Sequence, residues 1–249
     1  MNFPQDLKSR QEYIEEQVFF GNFDAKWVEI TSNVEGVEVR LLVMDDALKV
    51  DGVRINVSAT GEQRLADIFG ASLPTPKVVD MMYASATRRI SPSPQQISST
   101  VEAMIKHSQK IDTMLVNGTG LAATVGKHWV LDAKLTVESS RACNYGWHFI
   151  GTAFQGIKGY SPVSRAAGPG VSVIQQNGTA HDRLHSDYSQ ICQLVNQKCF
   201  IDGKEYMFSE IVKDPVLSKF VSHQGKLSID RQPGVEKLSG KFVEFPVVT

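Results

Sequence analysis

Asn117-Gly118-Thr119-Gly120 divides this chain of 249 residues into two kinds of sequence. Before it, apolar residues recur at helical spacing or in Val- and Leu-rich runs. After it come short apolar runs separated by loops rich in Gly, Ser and Pro. A chain patterned this way reads as α+β: an N-terminal half of helices with a small sheet, and a C-terminal half of mostly antiparallel strands with long loops. The lobes would be 1–118, a scaffold, and 119–249, β-rich. Residues 90–94 are a Pro/Ser-rich linker rather than a long flexible tether, so one interwoven domain fits the pattern equally well.

The N-terminal half reads as a helix over 4–20 stopped by Gly21-Asn22, strands over 27–31 and 37–43, and a hairpin turn at Asp51-Gly52. Ser58 or Thr60 caps a helix that Gly70 ends. Pro76 opens another, with Val78, Val79, Met82 and Tyr83 on its buried stripe. The longest helical pattern covers 95–115. Beyond Gly120, strands are expected at 128–131, 145–150, 171–174 and 191–195, a functional loop at 155–170 and a hairpin at 200–206. A short helix begins at Asp214-Pro215.

Lys plus Arg number 26 and Asp plus Glu 27, a net charge of -1, which gives no support for a nucleic-acid partner. No apolar stretch is long enough to span a membrane, and no secretory leader is read at the N-terminus. The three cysteines, Cys143, Cys192 and Cys199, include no C-x-x-C pair, so a cytoplasmic location is expected, with a phage particle as the other option.

Chemistry concentrates late in the chain. His181 and His185 form H-x-x-x-H, which puts both imidazoles on one face of a helix, and Asp187 follows. With His148 from a neighbouring strand, His181, His185 and Asp187 suit a zinc site with an open position, which would generate hydroxide and polarise a carbonyl. Without metal, His148, His181 and Asp187 serve as acid and base, and Tyr188 or Ser189 steadies an oxyanion. Trp147 and His148 are adjacent on a strand, so they should point to opposite faces. A cysteine alternative pairs Cys143 with His181 and Asp187, in the order of papain-like enzymes. No phosphate-binding loop, G-x-G-x-x-G or G-x-S-x-G elbow occurs.

Two short stretches resemble cell-wall enzymes. Trp147-His148-Phe149 resembles the ligand strand of zinc D,D-carboxypeptidases, although the order of segments is reversed here. Ser189 before Cys192 resembles the S-H-G-C motif of L,D-transpeptidases, with Gln190 and Ile191 in place of its His and Gly. More broadly, three segments together resemble a family of uncharacterised bacterial and phage proteins. They are Pro74-Thr75-Pro76-Lys77-Val78-Val79-Asp80, Asn144-Tyr145-Gly146-Trp147-His148, and Asp187-Tyr188-Ser189 with Leu194-Val195. That family usually continues Asp-Tyr-Ser with His-Gly and then Arg, where this chain has Gln190, Ile191 and Gln193. The resemblance implies no particular reaction. The expectation is a hydrolase of an amide or peptide bond, acting on a small or peptide-like substrate such as cell-wall material, with zinc or without it; the competing expectation is a non-catalytic phage structural or binding protein.

Overall fold

The computed structural model describes all residues except 1, 116–117, 152–153, 155–162, 165–166, 239–242, 244–246 and 249. In chain order the elements begin with α1 (Leu7–Phe19), β1 (Trp27–Val34), β2 (Val37–Met44), β3 (Lys49–Val50), β4 (Val53–Arg54), α2 (Ala59–Phe69) and β5 (Ala71–Ser72). Then follow α3 (Pro76–Ser85), β6 (Arg88–Arg89), α4 (Val101–Met114), β7 (Ala122–Ala123), β8 (Lys127–Val130) and β9 (Arg141–Ile150). The last are β10 (Val163–Ser164), β11 (Val171–Asp182), β12 (Gln190–Ile191), β13 (Val195–Ile201), β14 (Lys204–Met207), α5 (Phe208–Ile211) and β15 (Val247–Val248). The architecture is α+β. None of the described helices is long and apolar enough to cross a membrane.

Local chemistry explains most boundaries. The side chains of Asp6, Ser58, Thr75 and Thr100 each accept a hydrogen bond from an otherwise unpaired N–H in the first turn of α1, α2, α3 and α4. Three hairpins turn on Glu35-Gly36, Asp51-Gly52 and Asp202-Gly203, each with positive φ at both residues. This is the two-residue turn whose twist matches the flanking strands. The helix expected over 95–115 starts only at Val101. The residues before it stay extended behind Pro92 and Pro94, leaving Ile97 exposed, and Thr100 supplies the cap.

Two sheets carry the fold. The larger runs β14-β13-β2-β1-β15, with β5 also on β13; the smaller runs β10-β11-β9-β8-β12. Most pairings are antiparallel, but β15 runs parallel to β1 and β12 parallel to β8. The larger sheet takes β1, β2 and β5 from before the glycine tetrapeptide and β13, β14 and β15 from after it. α3 touches β1 of one sheet and β9 of the other. The single strand expected over 191–195 is two. Gln190–Ile191 joins the smaller sheet and Val195 opens β13 in the larger one, so Cys192 to Leu194 cross between them through the core. The loop expected at 155–170 lies mostly outside the described residues; Val163–Ser164 within it pair with β11.

Candidate functional site

The smaller sheet presents chemistry on both faces, and β8 and β9 decide which residue goes where. Lys127 lies opposite Gly146 and beside Gln190, while Trp129 lies opposite Asn144. Residues paired across a sheet share a face, so Lys127, Trp129, Asn144 and Gln190 stand together. His128 and Tyr145, one residue along, take the other face. Trp147 and His148 also take opposite faces, but positive φ at Gly146 and Trp147 shifts the alternation by one residue, so that His148 joins Tyr145 and Trp147 joins Lys127. The ring of Trp147 lies under the Lys127 ammonium, 5.5 Å from Nζ to centroid, whereas His148 bonds Asp80 on α3.

The α3 face is built around Asp80. Its Oδ1 accepts from the hydroxyl of Tyr145 at 2.6 Å and from Nε2 of His148 at 2.7 Å, and its Oδ2 accepts from Nε2 of His223 at 2.7 Å. Burial alone would raise the carboxyl pKa. The bonds from His148 and His223, the charge on His148 and the Tyr145 hydroxyl outweigh it and bring the value down from 3.8 to about 2. Asp80 is therefore ionised, and the Nε2 atoms facing it carry hydrogen. Tyr83 stacks on His148 at 4.7 Å. Behind them a cavity of about 10 Å³, room for one water, is bordered by Thr124, His128, Trp147, His148 and Gln193. Burial, then the neighbouring His148, pushes His128 down to about 3, so it is neutral. Thr124 and Trp147, which both border this cavity, hold left-handed backbone at φ 71° and 59°. Such strain persists only where packing imposes it.

The opposite face gathers around Asp187. Its Oδ1 accepts from the Ser189 N–H at 2.8 Å and the Ser189 hydroxyl at 2.5 Å. Its Oδ2 faces Nζ of Lys127 at 3.7 Å and Nε2 of His185 at 3.8 Å. Both are ion-pair separations rather than hydrogen bonds. Burial opposes the charge on Asp187, but His185, Lys127 and Ser189 together hold its pKa well below the usual carboxylate range. Burial pulls the Lys127 ammonium pKa down, and Asp187 partly restores it. The His185 side chain is 35% exposed and that of Lys127 only 10%, so the cluster runs from a half-open mouth to a dry floor. The rings of His181 and His185 stack at 4.2 Å, and His181 meets Trp129 edge-on at 6.1 Å. Burial and the adjacent His185 lower the His181 pKa, favouring its neutral form.

The H-x-x-x-H pair thus meets without a helix. His181 lies one residue before the end of β11, Asp182 accepts from the backbone N–H of Leu184 and His185, and the chain folds back to lay one ring on the other. Of the residues singled out in the sequence, His181, His185, Asp187 and Ser189 come together. Tyr188 lies beside them, its hydroxyl bonded to the backbone of Gln95 and its ring against His107 and Trp147. His148 stands on the opposite face with Asp80. Among the described residues, no group of three or more His, Cys, Asp or Glu side chains is placed to hold a metal ion. Cys143, Cys192 and Cys199 are all buried thiols.

Sequence reasoning passed over Lys127, Asp80 and His223. Lys127 had a readable signal, a cation opening the strand Lys127-His128-Trp129-Val130 ahead of a buried apolar stretch. Asp80 shares α3 with the buried Val78, Val79, Met81, Met82 and Tyr83, so a carboxylate among them needed partners. Nothing local marks His223. The chain matches no protein-family model, no curated protein and no solved structure.

Proposed function

We propose that this chain hydrolyses an amide or peptide bond on the Asp187 face of the smaller sheet. One observation carries the reading: a single buried carboxylate lies between a half-exposed imidazole, His185, and a buried ammonium, Lys127. Asp187 faces Nε2 of His185 across 3.8 Å; in this reading the contact closes to a hydrogen bond when substrate binds, which leaves Nδ1 as the basic nitrogen. A water deprotonated by His185 attacks the carbonyl carbon. The Lys127 ammonium, buried beside Asp187, supplies the positive field in which negative charge develops on the carbonyl oxygen, and the proton held by His185 passes to the departing amine. Ser189 spends its hydroxyl on Asp187, and Tyr188 spends its own on Gln95, so in this reading both position the site. His148 acts from behind the sheet, through its bond to Asp80. A zinc-dependent form of the reaction would draw on His181, His185 and Asp187 and would need these side chains to move, because among the described residues no three are placed to hold a metal ion.

The test is turnover of a panel of peptides and acylated amines, cell-wall peptides among them, with metal content measured on the same purified samples. His185→Ala and Asp187→Asn should each lower kcat by roughly a hundredfold or more. Full turnover in both variants would refute the assignment. Absence of turnover on every amide would favour a non-catalytic binding protein. Stoichiometric zinc lost in His181→Ala would select the metal form.

A further inference from the structure

On the Asp187 face several buried hydrogen-bond donors stand together without an acceptor, and their grouping points to a ligand. The indole Nε1 of Trp147, the Nε2 of Gln190 and the Nδ2 of Asn144 are buried with no acceptor among the described residues. The amide orientation of Gln190 is set, because its Oε1 accepts from the N–H of Asp187 at 2.6 Å. The Lys127 ammonium reaches its nearest carboxylate at 3.7 Å, beyond hydrogen-bond range. Native proteins pair nearly all such groups, so several unpaired together call for a cause. Register puts Lys127, Gln190 and Asn144 on one face, and the Trp147 ring is 5.5 Å from Lys127 Nζ.

We propose that this donor cluster binds a carboxylate of the substrate, which makes the preferred substrate an acylated amino acid or a peptide bearing a free acid group. The inference rests on the hydrolase reading in taking this face as the one that receives substrate. Donor capacity decides between a carboxylate and a neutral carbonyl. Lys127, Trp147 and Gln190 alone bring an ammonium, an indole N–H and an amide NH₂. A carbonyl oxygen has two lone pairs, whereas a carboxylate offers about four acceptor sites. Asp187 does not serve as that acceptor: Ser189 takes its Oδ1 twice, its Oδ2 faces Lys127 and His185, and none of the indole or amide N–H groups bonds it. A ligand carboxylate would meet charged and neutral donors together, and charge-assisted bonds of this kind are the stronger ones.

The experiment titrates ¹⁵N-labelled protein with N-acetylglycine and, separately, with its neutral amide. The indole N–H signal of Trp147, assigned with Trp147→Phe, is the readout. The acid should shift this signal and the side-chain amide of Gln190. The neutral amide should bind on the order of tenfold more weakly, and Lys127→Met should abolish the preference. Equal response to both compounds, or shifts confined to other residues, would overturn the proposal; the wild-type comparison decides even where Lys127→Met does not fold. Acid binding without turnover of any amide would keep this site and remove the hydrolase reading. Turnover without acid preference would do the reverse.

Discussion

Replacing Asp80 by Asn removes the charge on which Tyr145, His148 and His223 converge. The magnitude follows from the carboxyl itself. Its pKa falls from 3.8, the value for an ordinary aspartate, to about 2 in the fold. That difference corresponds to roughly 2 to 3 kcal/mol of stability. Because the folded value is depressed, this contribution is fully present above about pH 5. It declines as pH falls, is about half gone near pH 3, and is lost below both values. Asparagine keeps one acceptor but turns an NH₂ toward a second donor, so Asp80→Asn should cost about 3 kcal/mol at pH 6. The assay is guanidinium unfolding of both proteins from pH 6 down to pH 3. The gap between them should narrow by roughly 1 kcal/mol over that range. Asp187 loses stability in the same direction, but it is present in both proteins, lies on the far side of the sheet and cancels in the difference. A gap that stays constant with pH would refute the account of Asp80 as an ionised hub.

Two other outcomes are expected. A Cβ on Gly126 would sit 2.4 Å from Cγ2 of Ile191 and 2.7 Å from the Ser189 carbonyl oxygen. Gly126→Ala should therefore push β8 off β12 and destabilise by about 2 kcal/mol in thermal unfolding. Burial pushes Cys199 up to about 12 and raises Cys143 and Cys192 as well. A thiol reagent at pH 7 should label none of the three until the protein is unfolded, and one fast thiol in the native state would revive a cysteine nucleophile.

Much of the fold was legible in adjacent residues. Caps at Ser58 and Thr75, the left-handed stop at Gly70, and the Asp-Gly turns at residues 51–52 and 202–203 are encoded where they act, because a cap or turn needs only the few residues around it. That Trp147 and His148 face opposite ways was legible from strand alternation, but which face each takes depends on the positive φ at Gly146 and Trp147. The site was legible only in part. His181, His185 and Asp187 lie close in sequence and come together in space, but by a turn rather than the helix their spacing suggests. The sequence by itself determined the elements whose ends carry a cap or a tight turn, and the cluster nearest the last histidines; it did not determine where α4 begins or that residues 190–195 divide between two sheets. Only the tertiary structure decided that His148 serves Asp80 instead of that cluster, that His223 joins them, and that Lys127 faces Asp187. Those pairings link residues 80, 148 and 223, or 127 and 187, through sheet register and the packing of α3, which no local pattern specifies.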